Sequence, residues 1–450
     1  MKKIRIGAGA GYAGDRIDPA IELAEKGAIQ YICFDCLAER TIAIAQLERQ
    51  SDPRAGYGQF LRERVGALAP YCAKGLVMVS NMGAANPSAA LDAAREAAGE
   101  KRPGPLKIAA VTGDDVLEKI AESLSPVWES GLPVREYRDR IISANAYLGV
   151  DAVVPALRSG CNIILTGRVA DPALFLAPLV HEFGWAPDDW HLLGAGTAVG
   201  HLLECAGQVS GGFFSDPPFK NVPGLSRLGF PLAEVGADGT AVITKAPGTG
   251  GSVSVMTCKE QLMYEIHDPA AYLTPDVTAD FSRAELLDAG PDRVLVRGAS
   301  GRPRPELLKV SLGIHEGYIG EGEISFAGEG ALARARLAAQ IVKDRLGYRS
   351  VAASDMKIEF IGFDSILGPI ARRDAPPPLD IRLRVAVKAG NRRTAEAAGE
   401  EVEALYLNGP AGAAGARKFV RPVIAVYSST IERRKIEIRV ETSSCSARNL

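Results

Sequence analysis

The chain has 450 residues, 47% of them hydrophobic, and a formal net charge of −2. This length is sufficient for two or three domains, and the even mix of charges excludes the basic surface of a nucleic-acid-binding protein. No apolar run is long enough to span a membrane, and the N-terminus has no secretory signal. The seven cysteines are an odd and scattered set, which is typical of reduced thiols. We therefore expect a cytoplasmic protein.

The first predicted strand, Ile4–Ile6, leads into a glycine-rich stretch, GAGAGYAGDRIDP. Its glycines match the G-x-G-x-x-G pattern of dinucleotide-binding loops, but in that pattern the last glycines open the following helix. Here Asp18 and Pro19 form the better helix start, with Asp18 as the cap, and four residues separate Gly14 from the predicted helix. We therefore favour an active-site loop whose backbone N–H groups contact an anion over a nicotinamide site.

Up to about residue 180, short apolar runs alternate with longer amphipathic ones, which is typical of a parallel sheet covered by helices. The predicted strands are Ile4–Ile6, Tyr31–Phe34, Leu76–Val79, Ile108–Val111 and Ile163–Leu165. Each strand ends in a polar or glycine-rich cluster, and ligands of such sheets bind beyond the carboxyl ends of the strands. The candidate substrate-binding residues at this edge are Gly9, Gly11, Gly14, Asp15, Arg16, Asn81, Asn86, Thr166, Arg168 and Asp171.

Two of these clusters, SNMGAANP and TGRVADP, each end a strand and open a helix. We predict Asn86 and Asp171 as helix caps, each followed by a proline in the first turn. Arg168 either clamps a carboxylate or phosphate or forms a surface ion pair, and both interpretations stay open. Asp114 is likewise either a catalytic base or a partner of an arginine.

Cys33 and Cys36 match C-x-x-C, but an extended segment points them to opposite faces, and there is no second such pair to complete a zinc site. We therefore predict neither a redox nor a metal role for them. Asp35 and Glu39 follow the same strand, where it meets the expected crevice, and they are candidate catalytic residues.

His201, Glu204 and Cys205 share one face of a predicted helix. This spacing suits a metal ligand set or an oriented catalytic histidine, but no other cluster of histidines and cysteines is close in sequence, so we predict no metal. An acid–base pair of His201 and Glu204 and a buried structural histidine both stay open. The candidate catalytic residues are Asp35, Glu39, Asp114, His201 and Glu204.

A second glycine-rich loop, PGTGGS, follows the predicted strand Ala241–Lys245. It lacks the G-K-[ST] ending of a P-loop, which argues against nucleotide hydrolysis. We favour contact with an anion over a simple hairpin loop. The candidate contacts are Lys245, Thr249, Gly250, Gly251 and Ser252.

From about residue 290, alternating segments such as IRLRVAV and KIEIRV predict strands with one face in water. The predicted fold class is α/β, with an N-terminal, mostly parallel sheet sandwiched by helices and a C-terminal two-layer α+β domain. The predicted divisions are an α/β ligand-binding domain over 1–228, a connecting segment with the glycine-rich loop over 229–290, the α+β domain over 291–443, and a disordered tail over 444–450.

Several blocks together resemble the acyclic terpene utilisation protein AtuA family. They are GAGAGYAGDRIDPAIELAEKG, FDCLAERTIA, TGRVADPALFLAPL, AGTAVGHLLECAGQVSGG and TKAPGTGGSVSVMTCKEQLMYEIHDPAAYLTPDV. The resemblance implies a cytoplasmic bacterial protein of branched-chain or terpenoid catabolism that handles acyl-CoA thioesters or related carboxylates. The resemblance does not identify any catalytic residue in this sequence. Longer relatives have a small C-terminal ferredoxin-like domain, so the resemblance also implies that a separate small subunit could supply it here.

We expect an enzyme, either a lyase of the hydratase or dehydratase type or an isomerase. It would act on an acyl-CoA or a polycarboxylate by acid–base chemistry next to a carbonyl. No cofactor is required by this hypothesis; CoA would enter as part of the substrate, and a homo-oligomer is the default. Two alternatives stay open: a non-catalytic ligand-binding subunit of an acyl-CoA enzyme complex, and an NAD-dependent oxidoreductase.

Overall fold

The structure is a computed structural model, and it describes residues 2–100, 104–371 and 376–445. The chain forms two compact units. The first contains the chain up to Gly313 and again from Val426, and the second contains Ile314–Ala425. No helix of the described residues is both long and apolar enough to cross a membrane.

Strands and helices alternate through the first half of the chain, as the sequence predicts. The strands are β1 (Lys3–Ala10), β2 (Tyr31–Phe34), β3 (Val77–Ser80), β4 (Leu106–Thr112), β5 (Ile141–Ala146), β6 (Ile163–Thr166), β7 (Pro231–Gly236), β8 (Ala241–Lys245), β9 (Tyr272–Leu273), β10 (Thr278–Asp280), β11 (Glu285–Asp288), β12 (Val294–Arg297), β13 (Ser300–Arg302), β14 (Leu307–Ala327), β15 (Met356–Ile361), β16 (Asp380–Ala389), β17 (Ala414–Glu432) and β18 (Arg439–Cys445). The α-helices are α1 (Asp18–Lys26), α2 (Glu39–Ser51), α3 (Leu61–Cys72), α4 (Pro87–Glu100), α5 (Leu117–Ile120), α6 (Val150–Arg158), α7 (Asp171–Phe183), α8 (Trp190–Glu204), α9 (Val255–Met263), α10 (Ala331–Tyr348) and α11 (Arg392–Asn408).

The first unit is built on a large mixed sheet in the order β11-β12-β8-β7-β1-β2-β3-β6-β4-β18. All five strands predicted in the N-terminal part lie side by side in its centre and run parallel. Their residues are mostly buried on both faces, which explains why they appear in the sequence as short continuous apolar runs. The predicted α/β class is confirmed, and the carboxyl ends of these strands share one edge.

The edges of this sheet come from segments that the sequence analysis placed in other domains. Val294–Arg297, within the predicted 291–443 domain, pairs antiparallel with β8, and Arg439–Cys445 pairs antiparallel with β4. An alternating pattern indicates a strand with one exposed face, but it does not say which sheet the strand joins. Residues 444 and 445 of the predicted disordered tail belong to β18, and 446–450 lie outside the described residues.

The second unit has strands in the order β15-β16-β14-β17, with antiparallel pairing of β16 to β14 and β15. Alternate residues of β16, from Ile381 to Val387, are buried in one core with α10 and α11. On the other face Arg382 pairs with Glu323, and Arg384 pairs with Glu321. This is the predicted two-layer α+β arrangement, in which one face of the sheet carries helices and the other carries ion pairs.

Candidate active site

A cavity of about 790 Å³ lies in the first unit, beyond the carboxyl ends of β1, β2 and β6. This volume is typical of small-molecule sites. The residues of the predicted set that line it are Gly11, Asp35, Glu39, Arg168, Asp171, His201 and Glu204. Its apolar lining includes Tyr12, Leu37, Trp128, Leu273, Leu307 and Leu308. The cavity therefore joins a cluster of charged groups to an apolar wall.

His201 and Glu204 form a buried pair on the wall of this cavity. Nδ1 of His201 lies 2.7 Å from Oε1 of Glu204, one helical turn further along α8. The helix is buried over most of its length, and Gly200 lets it approach α7 closely, since a Cβ there would lie 2.6 Å from the Pro172 carbonyl oxygen. Nε2 of His201 and Oε2 of Glu204 have no hydrogen-bond partner among the described residues.

Burial and mutual attraction set the protonation of this pair. Burial by itself lowers the pKa of His201, but the charge of Glu204 and the hydrogen bond to it outweigh this, so the pKa of His201 lies above its usual value. Burial raises the pKa of Glu204 to about 7, although His201 acts in the opposite direction. The pair therefore exchanges protons near neutral pH, which is the range in which general acid–base catalysis is efficient.

Asp35 is held at the end of β2 by Asn81, which lies outside the cavity lining. The side-chain amide of Asn81 donates to Oδ1 of Asp35 over 2.7 Å, and its oxygen accepts from the backbone N–H of Cys36 over 2.7 Å. Burial first, and then the nearby Asp171 carboxylate, raise the pKa of Asp35 well above its usual value. Asp35 is therefore a weaker acid than an exposed aspartate and is better suited to donating a proton.

Arg168 forms a buried ion pair with Asp171 rather than a surface one, and it also lines the cavity. Its Nη1 lies 2.9 Å from Oδ1 of Asp171, and it also donates to the carbonyl oxygen of Leu37. The prediction that Asp171 caps α7 is wrong, because Ala170 is the N-cap and the Asp171 carboxylate is turned to Arg168. Nε of Arg168 is buried and lacks a hydrogen-bond partner within the described ranges.

Tyr147 and Lys309, which the sequence analysis missed, complete the charged cluster. The Tyr147 hydroxyl donates to Oε1 of Glu39, and Nζ of Lys309 lies 3.3 Å from the same oxygen. Cζ of Arg168 and Nζ of Lys309 lie 4.1 Å and 4.7 Å from the centre of the Tyr147 ring. Burial raises the pKa of Glu39, but Arg168 and the Tyr147 hydroxyl outweigh it and lower this pKa to about 2. Glu39 therefore stays ionised and is unsuited to the proton transfer predicted for it.

The family model of acyclic terpene utilisation family protein AtuA matches residues 4–442. The chain belongs to the AtuA family. The match confirms the resemblance found in the sequence, and it includes every residue that lines the cavity. Comparisons with curated proteins and with solved structures gave no match.

In this AtuA-family protein the first glycine-rich loop is used for packing. A Cβ at Gly9 would lie 2.5 Å from the Phe34 ring, and one at Gly11 would lie 2.6 Å from the backbone of Cys205. The N–H of Gly11 donates to the Asp15 carboxylate over 2.9 Å, so the protein's own carboxylate takes the place expected for a ligand anion. Gly14 likewise packs beside Tyr12 and does not line the cavity.

Arg16, Asn86 and Thr166 also lie away from the cavity lining. Arg16 donates to the carbonyl oxygens of residues 226 and 228, each over 3.1 Å. Asn86 caps α4 as predicted, accepting from the N–H of Ala89 over 3.3 Å. The Thr166 hydroxyl donates to the Gly167 carbonyl over 2.9 Å. These three residues therefore shape the loops around the site without facing the ligand space.

The second glycine-rich loop does not reach the cavity. Lys245 pairs with Asp292 over 3.1 Å and donates to the Thr249 carbonyl over 2.9 Å. The Thr249 hydroxyl donates to Ala246, and the N–H of Ser252 donates to Ser210. Gly250 and Gly251 are needed because a Cβ at either would collide with neighbouring backbone. The predicted anion contacts of this loop are thus replaced by contacts within the protein.

Asp114, a candidate base in the sequence, instead holds the backbone next to Arg168. Its Oδ2 accepts from the N–H of Arg168 over 2.8 Å and from the side-chain amide of Asn145 over 2.9 Å, and it does not line the cavity. Gly167 is required beside it, since a Cβ there would lie 2.2 Å from Oδ1 of Asp114. Asp114 is therefore a positioning residue for the loop that carries Arg168.

We expect Asp114→Asn to change how stability depends on pH. Burial raises the pKa of Asp114 to about 6. Its stabilising contribution is complete below its unfolded-state pKa and is lost as the pH rises through the folded-state value. Relative to the variant, the wild type should lose about 2–3 kcal/mol of unfolding free energy between pH 4 and pH 7. Urea unfolding at both pH values measures this, and an equal change in both proteins would contradict it.

Among the residues that the structure describes, no group of histidine, cysteine, aspartate or glutamate side chains is arranged to hold a metal ion. The polar lining of the cavity includes the His201–Glu204 hydrogen bond and the Arg168–Asp171 and Lys309–Glu39 ion pairs. Their arrangement provides proton donors and acceptors next to an apolar surface.

Proposed function

We propose that this AtuA-family protein is an enzyme that moves a proton at a carbon next to a carbonyl group. The observation that supports this most strongly is the buried His201–Glu204 pair, in which the carboxylate holds the imidazole through Nδ1 and both residues line the cavity. A histidine oriented by a carboxylate through one ring nitrogen uses the other as the base. The neutral-range protonation of the pair suits this task.

The other charged groups have complementary roles in this proposal. When the C–H bond breaks, the proton passes to Nε2 of His201 and the electron pair moves toward the carbonyl oxygen. The two cations of the lining, Arg168 and Lys309, lower the energy of the resulting enolate. Asp35, whose pKa is raised by burial, then protonates a departing hydroxyl group in a dehydration or a second carbon in an isomerisation. Either outcome makes the protein a lyase or an isomerase.

The apolar wall and the family together support the substrate class. A mainly apolar lining favours a hydrocarbon chain, and the family is one of acyclic terpene utilisation. We propose a branched acyclic acid or its CoA thioester as substrate, with CoA present only as part of that substrate. The NAD alternative has less support, since the Gly11 N–H is occupied by Asp15 and α1 begins at Asp18, beyond the glycines.

We also propose a cellular location and an assembly state for this protein. The described cysteines up to Cys258 are free thiols, which is typical of a reducing compartment such as the cytoplasm. A homo-oligomer, and a separate small ferredoxin-like subunit, remain the partners that we propose. Size-exclusion chromatography with light scattering tests for the homo-oligomer, and copurification from the native host tests for the small subunit.

A mass-spectrometric screen tests the reaction. The purified protein is incubated with CoA thioesters and free acids of branched acyclic chains, and with unbranched chains of equal length. We expect gain or loss of one water, or a shifted retention time at constant mass, for a branched substrate. Binding of these compounds without any conversion would contradict the enzyme proposal and support the ligand-binding subunit instead.

A further inference from the structure

The charges that line the cavity are unequal. Its carboxyl groups are Asp35, Glu39, Asp171, Glu204 and Glu265. Of the described residues in the lining, only Arg168 and Lys309 carry a permanent positive charge. Because Asp171 pairs with Arg168 and Glu39 pairs with Lys309, the lining has no excess of positive charge for a ligand with several negative charges. The cavity therefore favours a neutral or singly charged ligand.

Arg168 and Lys309 differ in whether their hydrogen-bond donors are available to a ligand. Arg168 directs Nη1 at Leu37 and Asp171 and Nη2 at Asp171, and its Nε, which has no partner among the described residues, is buried. Lys309 contacts Glu39 through one hydrogen bond, and an ammonium group has more donors than that contact uses. Its side chain is 37% exposed, whereas that of Arg168 is 2% exposed. Lys309 is thus the cation with donors available to a ligand.

Lys309 is also held in a fixed position. Its carbonyl oxygen accepts from the N–H of Tyr147 over 2.9 Å, and its Nζ lies 4.7 Å from the centre of the Tyr147 ring. Asp171 lies within electrostatic reach of both Lys309 and Glu204. An oxygen bound at Lys309 would therefore lie beside Glu39 and Tyr147, in the same cavity that His201, Glu204 and the apolar wall line.

We propose that Lys309 binds the carboxylate or carbonyl oxygen of the ligand, and that the cavity takes an elongated, mainly apolar organic acid with a single negative charge rather than a polycarboxylate. This inference rests on the proposed function in one respect, namely that this cavity is the substrate site. It assigns the anion contact, for which the sequence offered Arg168 as one of two open interpretations, to a residue that the sequence gave no reason to choose.

Isothermal titration calorimetry with three matched probes tests this proposal. They are citronellate, a branched ten-carbon monoacid; citronellol, its neutral alcohol; and 2,6-dimethyloct-2-enedioate, the corresponding diacid. We expect the wild type to bind citronellate more tightly than either of the others. Lys309→Met should weaken citronellate binding about 10- to 100-fold, the loss typical of one charged hydrogen bond, and leave citronellol binding unchanged. Lys309→Arg should restore part of the affinity.

Lys220→Met is the matched control. Lys220 is 37% exposed, pairs with Glu260 and lies 4.7 Å from the Phe214 ring, but it does not line the cavity. The Lys220→Met variant should bind citronellate as tightly as the wild type. Equal affinities of wild type and Lys309→Met, preferential binding of the diacid, or no binding of citronellate would each overturn the proposal. Calorimetry measures binding without turnover. If binding depended on Lys309 but no substrate were converted, the proposed reaction would be refuted and the binding role of Lys309 would stand.

Discussion

His201→Gln is expected to reduce turnover of the branched substrate by about 100- to 10,000-fold, the usual contribution of a positioned general base. Glutamine has a similar size and keeps a hydrogen bond to Glu204, but it cannot accept and release a proton near neutral pH. The steady-state rate under saturating substrate measures the effect. Substrate affinity should change little, because the proposed anchoring group, Lys309, is untouched.

His191→Gln is the control for this substitution. His191 lies on the same helix, where its Nδ1 is 3.0 Å from the Ser300 hydroxyl, and it does not line the cavity. The His191→Gln variant should turn the substrate over at the wild-type rate. Similar rates for wild type and His201→Gln, with both variants folded as judged by circular dichroism, would remove His201 from the reaction.

Gly11→Ala is expected to destabilise the protein by about 3 kcal/mol, the upper end of the usual overpacking penalty. The added Cβ would lie 2.6 Å from the carbonyl carbon of Cys205, which is the C-cap of α8 and follows Glu204 directly. Backbone cannot rotate away as a side chain can, so either the loop or the end of α8 must shift. We therefore expect turnover to fall together with stability.

Gly390→Ala provides the comparison, because a Cβ there would meet nothing within 4 Å and the backbone does not have a positive φ. Urea unfolding of both variants gives the difference in unfolding free energy. If Gly11→Ala were no less stable than Gly390→Ala, the close contact between the loop and α8 would not exist in solution.

The sequence was most informative where a residue's location follows directly from strand direction. Five apolar runs predicted a parallel sheet, and the residues just after β1, β2 and β6 had to lie at one edge. Gly11, Asp35 and Arg168 were found in this way. The His201–Glu204 contact followed from helical spacing, since residues three apart share a face.

Side-chain direction in loops could not be inferred in this way. Arg16 turns to carbonyl oxygens more than 200 positions further along the chain, and Lys245 turns to Asp292. Nothing near either residue in the sequence indicates these partners. Asp114 shows the same limit, because its partner proved to be the backbone N–H of Arg168 rather than a guanidinium.

Tyr147 and Lys309 were missed for a related reason. The strand around Lys309, LLKVSLGI, alternates in a way that predicts a lysine on a water-exposed face. Only the pairing of β14 with β5 places it beside Tyr147 and over Glu39. Likewise, the strands that add to the edges of the large sheet have no local feature that distinguishes them from those of the second unit.

Hydrogen exchange at the substrate, followed by proton NMR in heavy water, tests the central claim most directly. With a branched acyclic thioester that the wild type converts, we predict deuterium at the carbon next to the carbonyl. We also predict that His201→Gln incorporates it at least 100-fold more slowly, in line with the general-base contribution of about 100-fold or more. Incorporation at the same rate by both proteins, or hydration of an unsaturated thioester by the wild type with no deuterium at that carbon, would contradict the account.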